Sequence, residues 1–136
     1  MQFFHDHFPD ISRDETKTIP ITAVPGMPAI ALFEYYCTEL ACGCQSGKLG
    51  VVSIAKPKTV LASVSFSLTA HIDSSVDIEF TSPMMDREKK KISQALLRAL
   101  RDKRYQNLLA EHRLLLRARI FDLVTEPMRK NTVLYH

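Results

Sequence analysis

Three cysteines fall within eight positions of this chain, in the stretch FEYYCTELACGCQSGKLG at residues 33–50: Cys37, Cys42 and Cys44, spaced C-x4-C-x-C. Thiolate sulfur is among the donors that zinc favours, and a structural zinc takes four ligands in a tetrahedron. A loop carrying Cys42 and Cys44 beside a strand that ends at Cys37 brings three sulfurs within reach of one ion. Gly43 permits backbone angles there that a side chain forbids. Small buried fillers and reactive thiols are the competing readings. Fillers scatter along a chain, whereas the remaining 128 positions hold no cysteine. The odd count argues against a disulfide framework.

A closed site needs a fourth ligand, and histidine is the natural one. His112 is the leading candidate, because it lies on the apolar stripe of a helical segment and so faces inward. His71 and the pair His5 and His7 are the alternatives. The expected centre is one structural zinc per chain held by Cys37, Cys42, Cys44 and His112, stapling a sheet to a helix. Three thiolates make a zinc electron-rich and a poor activator of water, which favours structure over catalysis.

The sequence around these residues sorts into two chemical halves. Residues 29–36 (AIALFEYY), 49–55 (LGVVSIA), 59–68 (TVLASVSFSL) and 75–80 (SVDIEF) read as four strands, with KPK at 56–58 as a turn. In the third, Val60, Ala62, Val64, Phe66 and Leu68 share a face. The short spacings favour an antiparallel meander. Residues 81–126 then turn helical in period. Ser82 before Pro83 resembles an N-cap, a phase slip near Arg101–Arg104 divides two helices, and Pro127 ends the second. The expected fold class is α+β, an antiparallel sheet of about four strands followed by two C-terminal amphipathic helices packed on one face. Residues 1–27, punctuated by proline, read as an N-terminal arm, and 28–136 as a single domain.

EYYC at 34–37, the C-x-C at 42–44 and the later LLAEHRLLLRARI at 108–120 resemble small bacterial proteins that share a YYC…CxC segment with zinc-ligand character. The chain departs from that pattern at Gly43, where the family carries an acidic residue. The resemblance implies metal binding and brings no activity with it.

The formal net charge of +3 is unevenly spread: residues 1–84 sum to −4, residues 85–119 to +7 and the tail to zero. Lys90, Lys91, Arg98, Arg101, Arg104, Arg113 and Arg117 form a candidate nucleic-acid surface, because cations along a helix can track phosphates. A solvated outer helix face, contact with an acidic protein and self-association account for the same charges. No RNA- or DNA-binding motif, phosphate loop or hydrolase signature is present. No apolar run reaches the roughly 18 residues of a membrane span, and the first residues lack signal-peptide character. The expectation is a cytoplasmic, non-catalytic binding or adaptor module stabilised by zinc. A nucleic-acid-binding accessory is the first alternative and a thiol-dependent enzyme the second.

Overall fold

The structure is a computed structural model that describes residues 1–21, 24–39, 45–68 and 72–134. Its elements follow in chain order as β1 (Gln2–Phe3), α1 (Phe4–His7), α2 (Pro9–Glu15), β2 (Lys17–Pro20), β3 (Ala29–Tyr36), β4 (Ser46–Ser53) and β5 (Lys56–Ser67). A 3-10 turn at Ile72–Ser75, then β6 (Asp77–Phe80), α3 (Asp86–Arg101) and α4 (Lys103–Leu134) complete the chain. The expected α+β class is what forms: an antiparallel sheet followed by two helices. The sheet is larger than four strands, with six in the order β1-β3-β4-β5-β6 and β2 also paired to β3.

Both additional strands come from the segment read as an arm. β1 pairs with Tyr35 and Tyr36, and β2 pairs with Ala29 to Leu32, so both lie along the side of β3 away from β4. The chain between them forms α1 and α2, which sit where Phe33 and Glu34 have no strand partner on that side. Phe4 and Ile21 are buried in the common core, so this segment is integral to the packing.

Period-two alternation gives the sheet its apolar face. Ile30, Leu32 and Tyr36 of β3, Leu49 and Val51 of β4, and Ala62, Val64 and Phe66 of β5 are buried in one cluster. Ile92, Leu96 and Leu100 of α3 and Leu109 and Leu116 of α4 complete it, each helix contributing the stripe expected of an amphipathic element. The alternation in β5 breaks near its start. Val51 pairs with Ala62 but Val52 pairs with Val60, so Leu61 is an extra residue in the ladder. The bulge turns Val60 out to solvent and Leu61 inward, which corrects the single-face reading of that strand.

Three boundaries differ from the sequence reading, each for a local reason. The β4–β5 turn falls at Ile54–Ala55 rather than at KPK, and β5 begins at Lys56. Pro57 has no partner in the β4 register, so its missing N–H breaks no rung. Ser82 does not cap α3: its hydroxyl donates to the Val60 carbonyl at 2.8 Å, beside the bulge, and the helix begins after Met85. Asp86 and Glu88 instead place negative charge in the first turn, where the helix dipole favours it. Pro127 lies inside α4, which runs on to Leu134. The break between α3 and α4 falls at Asp102, whose Oδ1 accepts the Arg104 N–H at 2.9 Å and starts the second helix.

Gly47 lets β4 pass under the Phe66 ring. A Cβ added at this position would lie 2.5 Å from Phe66 Cζ and 2.9 Å from Cε2. The ring is buried and packs edge-on to Tyr36, so yielding to a Cβ means repacking the core. Gly47→Ala should therefore lower unfolding stability by about 1–3 kcal/mol, the usual cost of overpacking, measured by urea denaturation.

Candidate functional site

Glu34 occupies an inward position of β3, between the buried side chains of Leu32 and Tyr36. A carboxylate taken out of water there must be bonded and charge-compensated. Tyr36 supplies one bond, its hydroxyl donating to Glu34 Oε1 at 2.5 Å. His112 supplies the charge. It stands on the inward stripe of α4, one turn after Leu109, and its Nδ1 donates to Glu34 Oε1 at 2.8 Å and Oε2 at 3.0 Å.

The second ring nitrogen is also engaged. Nε2 donates to Glu15 Oε2 at 2.5 Å, at the last residue of α2. The Phe4 ring stacks on the imidazole with centroids 4.2 Å apart and planes 13° from parallel. A histidine with an acceptor on each nitrogen carries both protons. Burial alone pushes the His112 pKa down, but the bond and charge of Glu34, then those of Glu15, outweigh it and raise the pKa above its ordinary 6.5. The doubly protonated ring is thereby favoured, held between the buried Glu34 and Glu15, whose side chain is 44% exposed.

Two tyrosines feel the same negative charge. Burial, then the charge and hydrogen bond of Glu34, hold the Tyr36 hydroxyl well above its usual range, with Arg113 opposing. Burial, then Glu34, do the same for Tyr105. The Tyr105 hydroxyl is buried and has no hydrogen-bond partner among the described residues. Around His112 the polar partners are two carboxylates, so the described residues form no nucleophile–base pair with it. The arrangement is a clamp: one ring joins α1, α2, β3 and α4.

The proposed ligands are distributed as follows. Cys37 follows β3 directly; its N–H donates to Ser46 O and its carbonyl accepts from Arg117 Nη1, each at 3.5 Å. In the alternation of β3 it falls in phase with Phe33 and Tyr35, whereas Glu34 and His112 lie on the core side. Both nitrogens through which His112 would bind a metal are held by carboxylates. Cys42, Cys44 and His71 lie outside the described residues. Leu68 N–H donates to Gln45 O at 2.9 Å, so the chain just after Cys44 runs beside the chain just before His71. His7 Nε2 pairs with Gln2 Oε1 at 3.3 Å, and the His5 ring lies 5.5 Å from that of Phe3, tilted by 30°. Among the described residues no group of three or more His, Cys, Asp or Glu is arranged to hold a metal.

The basic residues divide into two sets. Lys90, Lys91, Arg98, Arg101 and Arg104 are exposed, and Arg98 lines a groove of about 240 Å³ with Lys17, Pro20 and Asp102 between α3 and β2. Arg113 and Arg117 are half-buried and turn toward β3, one acting on Tyr36 and the other on the Cys37 carbonyl. The sequence reading singled out His112 but missed Glu15, Glu34, Tyr36 and Tyr105. One signal was available: Glu34 is the single charge in the otherwise uncharged strand AIALFEYY, in phase with its buried residues.

No family model matches the chain, and no curated protein or solved structure matches it either. No described helix is long and apolar enough to cross a membrane.

A histidine whose folded pKa is raised contributes stability that is complete below its unfolded pKa and lost as pH rises through the folded one. The urea midpoint should therefore fall from about pH 6.5 upward. Glu15→Gln, which weakens the exposed arm of the clamp, should flatten that slope; equal slopes would refute the clamp. His112→Ala leaves Glu34 buried with Tyr36 alone and should cost about 3–5 kcal/mol.

Proposed function

We propose that this chain is a non-catalytic binding module whose binding element is the outer face of α4. The observation that carries this reading is the composition of that helix beyond its inward stripe. Residues 114–124, LLLRARIFDLV, hold seven large apolar side chains in eleven positions. Leu116 is buried and Ile120 packs on the core, but Leu114 is 62% exposed, Phe121 47% and Val124 56%. A helix that only covers a sheet needs one apolar stripe. A second stripe of large side chains marks a surface that a partner covers.

In the same reading, a zinc at the β3–β4 connection makes the module rigid. Its ligands are Cys37, Cys42 and Cys44, with His71 as the fourth. The support is the pair of backbone bonds that join Cys37 to Ser46 and Gln45 to Leu68, which set Cys37, Gln45 and Leu68 at one end of the sheet. His112 is committed to Glu34 and Glu15 and is left to the clamp.

Protein expressed without a histidine tag should contain one zinc per chain. Chelation should free three thiols and lower the melting temperature. Absence of metal together with three freely titrating thiols would remove the zinc from this account. For the binding face, Phe121→Asp with Val124→Asp should leave unfolding stability within about 0.5 kcal/mol and reduce binding of an apolar dye. A loss above about 2 kcal/mol would mean that these side chains belong to the core, and the reading would fail.

A further inference from the structure

We propose that the groove between β2 and α3 is a binding site for a small apolar monocarboxylate. None of its residues belongs to the outer face of α4 or to the cysteine loop, so it stands independently of both. The recess exists because α3 carries only methyl groups where it meets β2. Ala95 and Ala99, about one turn apart, line it on the helix side, and Ile19 and Pro20 line it on the strand side. The hollow of about 240 Å³ is thus largely apolar. Drug-sized ligands occupy pockets of about 300 Å³ or more, so a short hydrocarbon is what fits here.

Charge narrows the ligand further. Lys17 comes from β2 and Arg98 from α3, which puts one cation on each wall, and Asp102 is the one carboxylate among the described residues that line the groove. Neither cation is neutralised: among the described residues Lys17 and Arg98 have no carboxylate within ion-pair distance. Lys17 pairs with Leu32 in the sheet register and so shares the inward side with that buried residue. There its Nζ lies 5.7 Å from the centroid of the buried Tyr105 ring. That contact holds the ammonium in place without cancelling its charge. Asp102 is engaged at the start of α4, its Oδ1 accepting the Arg104 N–H.

Two cations against one carboxylate leave a single positive charge in excess, which a monoanion balances. A second negative charge, as on a phosphate monoester, would face Asp102 uncompensated. The Arg98 guanidinium offers a planar fork that matches the two oxygens of a carboxylate, and Lys17 adds a point charge from the other wall. The apolar lining takes the hydrocarbon out of water.

The test is a titration of the full chain, as purified, with hexanoate, followed by backbone amide NMR shifts. Saturable shifts should appear at Lys17, Ile19, Ala95 and Ala99, with a dissociation constant of about 1 mM for so small a ligand. Hexanamide keeps the shape and drops the charge. Inorganic phosphate at about pH 8 is a dianion without the chain. Each should bind at least about tenfold more weakly than hexanoate. Arg98 is exposed, so Arg98→Gln should keep the urea midpoint of the wild type while weakening hexanoate about tenfold. Lys17→Gln should weaken it similarly, and if it also loses stability through Tyr105, Arg98→Gln decides alone. Lys58→Gln, at an exposed position near the start of β5, changes the net charge equally and should leave hexanoate binding as it was. No saturable shift by about 20 mM would overturn the proposal. So would hexanamide or phosphate binding as well as hexanoate, undiminished binding by Arg98→Gln, or an equal loss in Lys58→Gln.

Discussion

Glu34 stands where the alternation of β3 calls for an apolar side chain, and a buried carboxylate is stable only if its surroundings supply compensating charge and donors. Much of the architecture follows from meeting that requirement. α4 must approach β3 at the register that brings His112 to Glu34. The N-terminal segment must fold back far enough for Glu15 to reach the other ring nitrogen and for Phe4 to cover the ring. Apolar contacts tolerate sliding, because one leucine packs much like another. Hydrogen bonds of 2.8 and 2.5 Å to two named oxygens do not. The clamp thus selects one packing from the several that the hydrophobic pattern alone permits, a use of buried polar groups seen elsewhere in register selection.

How much of this was legible in the sequence depended on whether the signal was local. β3 is legible at Ala29–Tyr36, the bounds it has in the structure, because Ile30, Phe33, Tyr35 and Tyr36 are strand formers set between Pro28 and the cysteine loop. The α3–α4 break was visible because the apolar phase slips across Arg101–Arg104, and Asp102 sits inside that interval. The strands β1 and β2 were not readable. Two to four residues in a proline-punctuated segment acquire strand geometry only by pairing with β3, a long-range event that leaves no local period. The bulge at Leu61 escaped for the same reason, since an extra residue in a ladder is defined by the partner strand.

The site shows the same division. His112 could be singled out by its place on an apolar stripe, but its partners lie 78 and 97 residues away in sequence. Spacing arguments favour neighbours, which is why the cysteines drew attention first. The inference that joined the cysteines to His112 rested on three cysteines needing a fourth ligand and on a histidine that faces inward. A carboxylate on the inward phase of a strand, read together with that histidine, supplies its partner without any metal.

The division of the N-terminal segment into β1 and β2 has a consequence for solubility. A sheet edge is a template for adding further chains, and its reach depends on how many consecutive backbone groups stay unpaired along one straight run. Here the edge beside β3 is closed by two pieces, of two and four residues, with α1 and α2 interposed between them. At the opposite edge β6 is four residues long and carries Asp77 and Glu79. An incoming strand finds beside β3 two short, separated pieces, and along β6 a four-residue template that carries two carboxylates. Those two borders therefore disfavour edge-to-edge growth by the way they are cut.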